Sequence, residues 1–114
     1  MEKKDTISWS DFEKIDMRVG TVVEAAYFEE TKVPAIKMEI DFGEIGTLKS
    51  SAQITDHYLP ANLVGTRVVA VVNFPAKQIA NMMSECLVLG AVDSNGCVIL
   101  LRPDREVENG RPIE

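Results

Sequence analysis

Residues 36–42 have the sequence Ile36-Lys37-Met38-Glu39-Ile40-Asp41-Phe42. Apolar and charged side chains alternate across them without a break, which is the period of a strand with one buried and one exposed face. Gly43 and Gly46 then supply a turn, and residues 47–53 can return as the antiparallel partner. The sequence therefore predicts a hairpin of half-buried strands.

The segments before this hairpin predict a short helix and a bent strand. Ser8 can cap a helix over residues 8–15, and Ser10 offers an alternative start with its own capping box. From Met17 apolar residues alternate again, and Gly20 interrupts the pattern. Because a glycine inside a strand often marks a bulge or bend, we expect a barrel corner at Gly20.

The segments after the hairpin predict one more helix and the remaining strands. Residues 55–59 are typical of a short helix, and residues 67–74 are apolar enough to form a central strand. Residues 86–92 and 97–101 flank a strong turn signal and predict a last hairpin, with Val92 opposite Cys97. In that register the two cysteines, Cys86 and Cys97, lie too far apart to form a disulfide.

Five or six short strands with a helix between the third and fourth fit an all-β, five-stranded OB-fold barrel. Short helices and N- and C-terminal extensions would complete it, and we expect residues 1–114 to form a single domain. A chain of 114 residues with 46% hydrophobic residues can bury one core without disulfides or metal ions.

Charge and hydropathy limit the function classes. The net charge of −6 disfavours generic nucleic-acid binding, in which neutralisation of phosphates supplies much of the affinity. Residues 1–6 are polar and lack the apolar middle of a signal peptide, and no apolar segment approaches the roughly 20 residues that cross a bilayer. We therefore expect a cytoplasmic protein without membrane insertion.

Reactive side chains are scarce. His57 is the single histidine, and it lacks an obvious nucleophile and orienting partner. Cys86, Cys97 and His57 do not have the spacing of a metal-ligand motif, and both cysteines are typical of small buried hydrophobic residues. The sequence therefore predicts no catalytic residue, no metal site and no cofactor.

Three segments carry polar and apolar side chains in combinations suited to binding a macromolecule. Residues 49–53 combine a cation with hydroxyls, and residues 73–79 combine amides, an aromatic ring and a cation, which can serve single-stranded nucleic acid or an extended peptide. In residues 81–85, adjacent methionines cannot both point inward on a strand, so one is expected to face a surface or a partner. The candidate binding residues are Lys49, Ser50, Ser51, Asn73, Phe74, Lys77, Gln78, Ile79, Met82, Met83 and Ser84.

Several short sequence motifs resemble those of one protein family. Asp16-Met17-Arg18-Val19-Gly20 resembles the D-I-R-V-G opening of the tRNA-binding domain family, which includes EMAP II-like modules and the C-terminal domain of some methionyl-tRNA synthetases. Val71-Val72-Asn73-Phe74, followed by Lys77 and Ser84, resembles that family's V-V-N-L, basic residue and serine pattern. The likeness is closer to its CsaA branch of export-related chaperones, on Ile40-Asp41-Phe42-Gly43 and Ser50-Ser51-Ala52-Gln53-Ile54 among others.

The resemblance implies an OB-fold homodimer with N- and C-terminal elements at the interface. It implies binding of unfolded or precursor polypeptides and cooperation with the secretion machinery. Phe74, Ile79, Met82 and Met83 would then supply apolar contacts, while Lys49, Ser50, Asn73 and Gln78 bond backbone or acidic groups.

Two alternatives remain open at this point. The first is a tRNA-binding module that holds structured RNA through Lys49, Ser51, Asn73, Lys77 and Ser84. Against it, Glu85 and Cys86 follow Ser84 where the tRNA-binding members usually have Gly-Met, which places a carboxylate where RNA would approach. The second alternative is a dimerisation module that acts on a protein partner and binds neither ligand.

Overall fold

The computed structural model describes residues 2–114, so Met1 of the predicted polar N-terminus lies outside it. Short strands dominate, and the two α-helices are brief. In chain order the elements are α1 (Trp9–Glu13), β1 (Met17–Tyr27), β2 (Ile36–Asp41), β3 (Thr47–Ala52), α2 (Pro60–Leu63), β4 (Arg67–Val71), β5 (Lys77–Ile79), β6 (Met82–Ser84), β7 (Leu87–Val88), β8 (Gly90–Val92) and β9 (Val98–Leu100).

Five antiparallel strands form the main sheet in the order β3-β2-β1-β4-β7. The two edge strands of this sheet are β3 and β7, and they approach each other. Just before β7, the Glu85 backbone N–H donates to the carbonyl oxygen of Lys49 in β3 at 2.7 Å. The Ser50 hydroxyl donates to the Cys86 carbonyl oxygen at 2.9 Å in the same seam. The result is a nearly closed five-stranded barrel, which confirms the predicted all-β, OB-like fold.

The predicted hairpin of half-buried strands is present as β2 and β3. Ile36, Met38, Ile40 and Phe42 are each at most 2% exposed, whereas the charged residues between them are only partly buried. Residues 47–52 pair with β2 along its whole length. The strict alternation therefore places one complete face of β2 in the barrel core, against residues such as Val22 and Val68.

β1 is longer than predicted, and its irregularity is not at Gly20. It pairs with β4 through residues 17–21 and with β2 through residues 21–27, and the register shifts between Val22 and Glu24. Gly20 is required for another reason, because a Cβ there would lie 2.6 Å from Cγ2 of Ile40. The glycine permits close packing inside the barrel, while the bulge two residues later bends the strand.

The helix predicted over residues 55–59 is wrong. Residues 55–57 form a turn, residues 58 and 59 have no regular secondary structure, and α2 begins at Pro60. The proline ring fixes φ at a helical value and its missing N–H costs nothing at the first helical position, so Pro60 starts the helix. It also disfavours a helical conformation at the preceding residue, and Leu59 has extended angles of φ −107° and ψ 142°.

The end of β4 and the register of the last hairpin differ from the prediction. β4 ends at Val71 rather than Phe74, because the chain then turns to the N-terminal segment, and the Val72 N–H donates to the Asp16 carbonyl at 2.8 Å. In the last hairpin, Val92 lies opposite Val98 rather than Cys97. Both cysteines are free, as predicted, and Cys86 is buried, but Cys97 is only partly so.

The terminal extensions lie next to each other on β1. Ser8 caps α1 in a reciprocal capping box with Asp11, which selects the first of the two predicted starts. The C-terminal segment runs along β1, where the Gly110 N–H donates to the Val19 carbonyl at 2.7 Å and the Ile113 N–H donates to the Met17 carbonyl at 2.9 Å. Within residues 2–114, none of the helices has the length and apolar character needed to cross a bilayer.

Candidate binding clefts

The hairpin of β5 and β6 distributes the predicted binding residues between two faces. Lys77 pairs with Ser84, Gln78 with Met83 and Ile79 with Met82. Lys77, Ile79, Met82 and Ser84 line clefts against the barrel, whereas Gln78 and Met83 are exposed on the opposite face. Met82 is half-buried and Met83 is 48% exposed, so one of the adjacent methionines faces a surface, as predicted.

The first cleft, which we call the Phe74 cleft, lies between this hairpin and the closing seam of the barrel. It has a volume of about 280 Å³. Phe74 is 55% exposed and Leu87 is 49% exposed, so apolar surface is available to a ligand. The lining residues are Ser51, Phe74, Pro75, Lys77, Ile79, Ser84, Glu85, Cys86 and Leu87.

The charges of the Phe74 cleft balance. Among the described residues that line it, Lys77 is the only cation and Glu85 the only anion. One carboxylate oxygen of Glu85 accepts a hydrogen bond from the Lys49 backbone N–H at 3.0 Å, which holds this side chain at the seam. A cleft of this kind offers a ligand apolar contact with one cationic anchor.

The second cleft, which we call the Met82 cleft, lies across β1 and β2 and has a volume of about 630 Å³. Lys49 and Met82 line it together with the cross-strand pair Glu24 and Glu39. A hydrogen bond with Glu39 raises the pKa of Glu24, and repulsion between the two carboxylates raises it further. Lys37 also lines this cleft, so cations and carboxylates occur there in equal number.

Two predicted binding residues make side-chain hydrogen bonds within the fold. Ser50 is 1% exposed, and its hydroxyl is bonded to the Cys86 carbonyl, so it is not available to a ligand. The Asn73 side chain holds the N-terminal segment, since Oδ1 accepts from the Asp16 N–H at 3.0 Å and Nδ2 donates to the Lys14 carbonyl at 2.7 Å. Neither residue lines the Phe74 cleft or the Met82 cleft.

Sequence reasoning missed several lining residues. Pro75 and Leu87 contribute to the Phe74 cleft, and Glu24 and Glu39 contribute to the Met82 cleft. In β7 Leu87 is exposed while Val88 is partly buried, and an apolar run gives no signal of which residue faces outward. The Glu24 and Glu39 pair depends on the bulge in β1, which sets their register.

A third surface is formed where the two chain termini meet, and we call it the terminal face. Trp9 is 86% exposed and Ile15 is 44% exposed. Phe12, Pro112 and Ile113 lie beside them around a depression of about 850 Å³. A large exposed indole next to further apolar side chains is typical of a protein contact surface.

Most of the chain matches a known protein family. Residues 17–112, which include β1, the barrel and the C-terminal segment, match the family described as putative tRNA binding domain. The chain belongs to the tRNA-binding domain family. The resemblance inferred from the sequence is thereby confirmed.

Relatives of this tRNA-binding domain include methionine–tRNA ligases. Those of Methanococcoides burtonii and Methanocaldococcus jannaschii are 33% and 35% identical to it over 110 and 112 residues. These matches cover 96% and 98% of the chain but 16% and 17% of the ligases. The chain thus spans about one sixth of the length of these curated relatives.

Solved structures that match the tRNA-binding domain include two CsaA chaperones. The CsaA of Bacillus anthracis is 51% identical with a TM-score of 0.92, and that of Picrophilus torridus is 50% identical with a TM-score of 0.89. Each match covers 96% of this chain and 100% of the chaperone chain. The similarity to the CsaA branch therefore extends over the full length of both chaperones.

Proposed function

We propose that this chain is a CsaA-like molecular chaperone that binds unfolded or precursor polypeptides and catalyses no reaction. Its Phe74 cleft would take apolar side chains of an extended polypeptide, with Lys77 at the rim as an anchor for a backbone carbonyl or an acidic group. The chaperone would act in the cytoplasm as a homodimer, in cooperation with the secretion machinery.

The observation that carries this proposal is the composition of the Phe74 cleft. The exposed ring of Phe74, the exposed side chain of Leu87 and the partly buried Ile79 offer apolar area, which stabilises a bound side chain by about 25 cal/mol per Å² removed from water. A phosphate backbone needs several cations along its path, whereas Lys77 is balanced here by Glu85. Polypeptide is therefore favoured over RNA as the occupant.

The charge around the cleft supports the same choice. The chain carries a net charge of −6, and the neighbouring Met82 cleft presents the Glu24 and Glu39 pair. Lys49 lines that cleft rather than the Phe74 cleft, so Lys49 and Lys77 do not line one common cleft.

The terminal face supports the proposed homodimer. An indole that is 86% exposed leaves a large apolar area in water, and a second copy can cover it with the same surface. Ile15 and Ile113 line the same depression as Trp9 and add apolar side chains to this surface.

A tRNA-binding module is the second candidate, and membership of the tRNA-binding domain family favours it. Ser51, Lys77 and Ser84 line one cleft, as that hypothesis requires, but Asn73 is occupied with the N-terminal segment. A phosphate contact at Lys77 would make RNA binding depend steeply on salt, whereas apolar contact at Phe74 would not.

The two functions are separated by one titration series. Fluorescence anisotropy would follow binding of labelled, reduced and carboxymethylated α-lactalbumin, a permanently unfolded chain, and of labelled tRNA, each at 50 and 200 mM salt. We expect the unfolded polypeptide to bind with an affinity that changes little with salt. Absent polypeptide binding, together with tRNA affinity that falls roughly tenfold or more over this range, would contradict the chaperone proposal.

A further inference from the structure

Three side chains with metal-binding atoms converge at the end of the barrel formed by the β8–β9 hairpin. His57 lies in the turn before α2, and Asp93 and Cys97 lie at the two ends of the loop between β8 and β9. The ligand atoms of these three residues all lie within 4.8 Å of one another. The His57 Nε2 atom is 3.3 Å from Oδ2 of Asp93, although the two residues are 36 positions apart in the chain.

Hydrogen bonds fix the two segments that carry this cluster. Oδ1 of Asp93 accepts from the backbone N–H groups of Asn95 and Cys97, both at 2.9 Å, so Oδ2 is the oxygen that points to His57. The Asp93 N–H donates to the Cys97 carbonyl at 2.8 Å, which closes the loop. The Tyr58 hydroxyl accepts from the Leu100 N–H at 2.9 Å and joins the His57 turn to β9.

The donor set is selective for one class of cation. An imidazole nitrogen, a thiolate sulfur and a carboxylate oxygen are all ligands of Zn²⁺, whereas Mg²⁺ and Ca²⁺ prefer oxygen alone. In a tetrahedral zinc site with bonds of about 2.0–2.3 Å, neighbouring ligand atoms lie about 3.3–3.8 Å apart. The three ligand atoms of this cluster lie within 4.8 Å of one another, so each would have to move by about 1 Å or less to adopt the zinc geometry.

The local charge also favours a cation. Hydrogen bonds from the Cys97 and Asn95 backbone, with the neighbouring His57, lower the pKa of Asp93, so its carboxylate is ionised at neutral pH. Burial, followed by the charges of Asp56 and Asp93, raises the pKa of the Cys97 thiol. The thiol is therefore protonated before a metal binds, and a bound cation would take the place of that proton.

We propose that His57, Asp93 and Cys97 form a zinc site, with a water molecule in the fourth position, that joins the turn before α2 to the β8–β9 hairpin. Binding exchanges the Cys97 thiol proton for a bond from the sulfur to Zn²⁺, and the proton leaves to solvent. The site is independent of the Phe74 cleft, since none of its residues lines that cleft.

The test uses the full chain, freed of metal, with Zn²⁺ and with Co²⁺ as a spectroscopic probe. Wild type should bind one Zn²⁺ and release about one proton, measured by calorimetry in buffers of different ionisation enthalpy. Co²⁺ should give the thiolate charge-transfer band and the visible absorption of a tetrahedral site. An excess of Mg²⁺ should displace neither ion.

Matched variants assign the binding to this cluster. Cys97→Ser should lose the Co²⁺ thiolate band and weaken Zn²⁺ binding by roughly 100-fold or more, since loss of supporting groups alone costs up to that factor. Cys86→Ser, which alters the other free cysteine, should leave both unchanged. If Cys97→Ser does not fold, His57→Gln replaces it in the comparison with Cys86→Ser. This variant changes an exposed side chain and should also weaken Zn²⁺ binding.

The proposal is overturned by any of three results. These are the absence of a thiolate band in wild type, loss of that band in Cys86→Ser, and Zn²⁺ affinity that is unchanged in both Cys97→Ser and His57→Gln. Protection of Cys97 against a thiol reagent by Zn²⁺, read in the Cys86→Ser background, should parallel the affinities.

Discussion

The Ser50 hydroxyl donates a hydrogen bond to the backbone carbonyl of Cys86 at 2.9 Å, and both residues are buried. Ser50 belongs to β3 and Cys86 immediately precedes β7, so this bond crosses the seam where the two edges of the sheet meet. The same seam forms one wall of the Phe74 cleft through Glu85 and Cys86. Barrel closure and the candidate cleft therefore depend on the same contact.

Replacing Ser50 should affect stability rather than ligand contact. Ser50→Ala removes the shorter of the two hydrogen bonds to the Cys86 carbonyl, since the Ser84 hydroxyl also donates to it at 3.4 Å, and is expected to lower the free energy of unfolding by about 1 kcal/mol. Ser51→Ala alters the neighbouring, partly exposed hydroxyl and should change stability by less than about 0.5 kcal/mol. Urea unfolding of both variants checks this, and equal midpoints for the two would contradict the assignment of Ser50 to the seam.

Cys86 should make the stability of the fold fall at alkaline pH. Burial raises the pKa of this thiol from 9.0 to about 11, only partly offset by the Ser50 hydrogen bond. Between about pH 9 and 11 the unfolded chain loses this proton while the folded chain retains it, so stability falls as pH rises through that window. The contribution of Cys86 is complete below pH 9.

The measurement is the difference in unfolding free energy between wild type and Cys86→Ala, followed from pH 8 to pH 11. Other groups titrate in both proteins, so the difference isolates Cys86. Wild type should lose up to about 2 kcal/mol relative to the variant over this range. A difference that is constant with pH would show that the thiol is not desolvated.

Asn73 should anchor the N-terminal segment. Asn73→Ala removes the two hydrogen bonds to the backbone of Asp16 and Lys14 and is expected to cost about 1 kcal/mol of stability. Faster amide hydrogen exchange should be confined to α1 and the start of β1. Gln78→Ala, which removes another exposed amide, is the control, and identical exchange in the two variants would contradict the role of Asn73.

The terminal face should determine the oligomeric state. Trp9→Glu replaces the most exposed apolar side chain of this face with a charge and should shift the mass measured by light scattering from twice 12.6 kDa to 12.6 kDa. Val92→Glu introduces the same charge at a residue that is 68% exposed on β8, and it should leave the dimer intact. A monomeric wild-type protein at micromolar concentration would refute the homodimer.

Local patterns were sufficient to predict the elements in which one face is buried. β2 alternates so strictly that its core residues and its antiparallel partner β3 could both be predicted. The cap at Ser8 is also a local feature, since the structure pairs it with Asp11 only three residues away, and Ser8 was one of the two predicted starts. Where the deciding contact lies far along the chain, the sequence carries no comparable signal.

Long-range contacts were beyond the reach of the sequence patterns. Asn73 and Ser50 have polar side chains in segments suited to binding, yet each bonds to backbone, 57 and 36 residues away respectively. The proximity of His57 to Cys97 depends on the turn before α2 packing against a hairpin that follows much later. The helix was predicted before Pro60, at residues 55–59, whereas a proline at the first helical position starts the helix there.

The central claim is that unfolded polypeptide binds in the Phe74 cleft. It is tested most directly by the affinity of Phe74→Ala for carboxymethylated α-lactalbumin, compared with Tyr27→Ala, which removes an aromatic ring that is 50% exposed outside this cleft. Phe74→Ala should weaken binding about tenfold, the equivalent of 1.4 kcal/mol of lost apolar contact, and Tyr27→Ala should match wild type. Equal affinities for Phe74→Ala and wild type would contradict the claim.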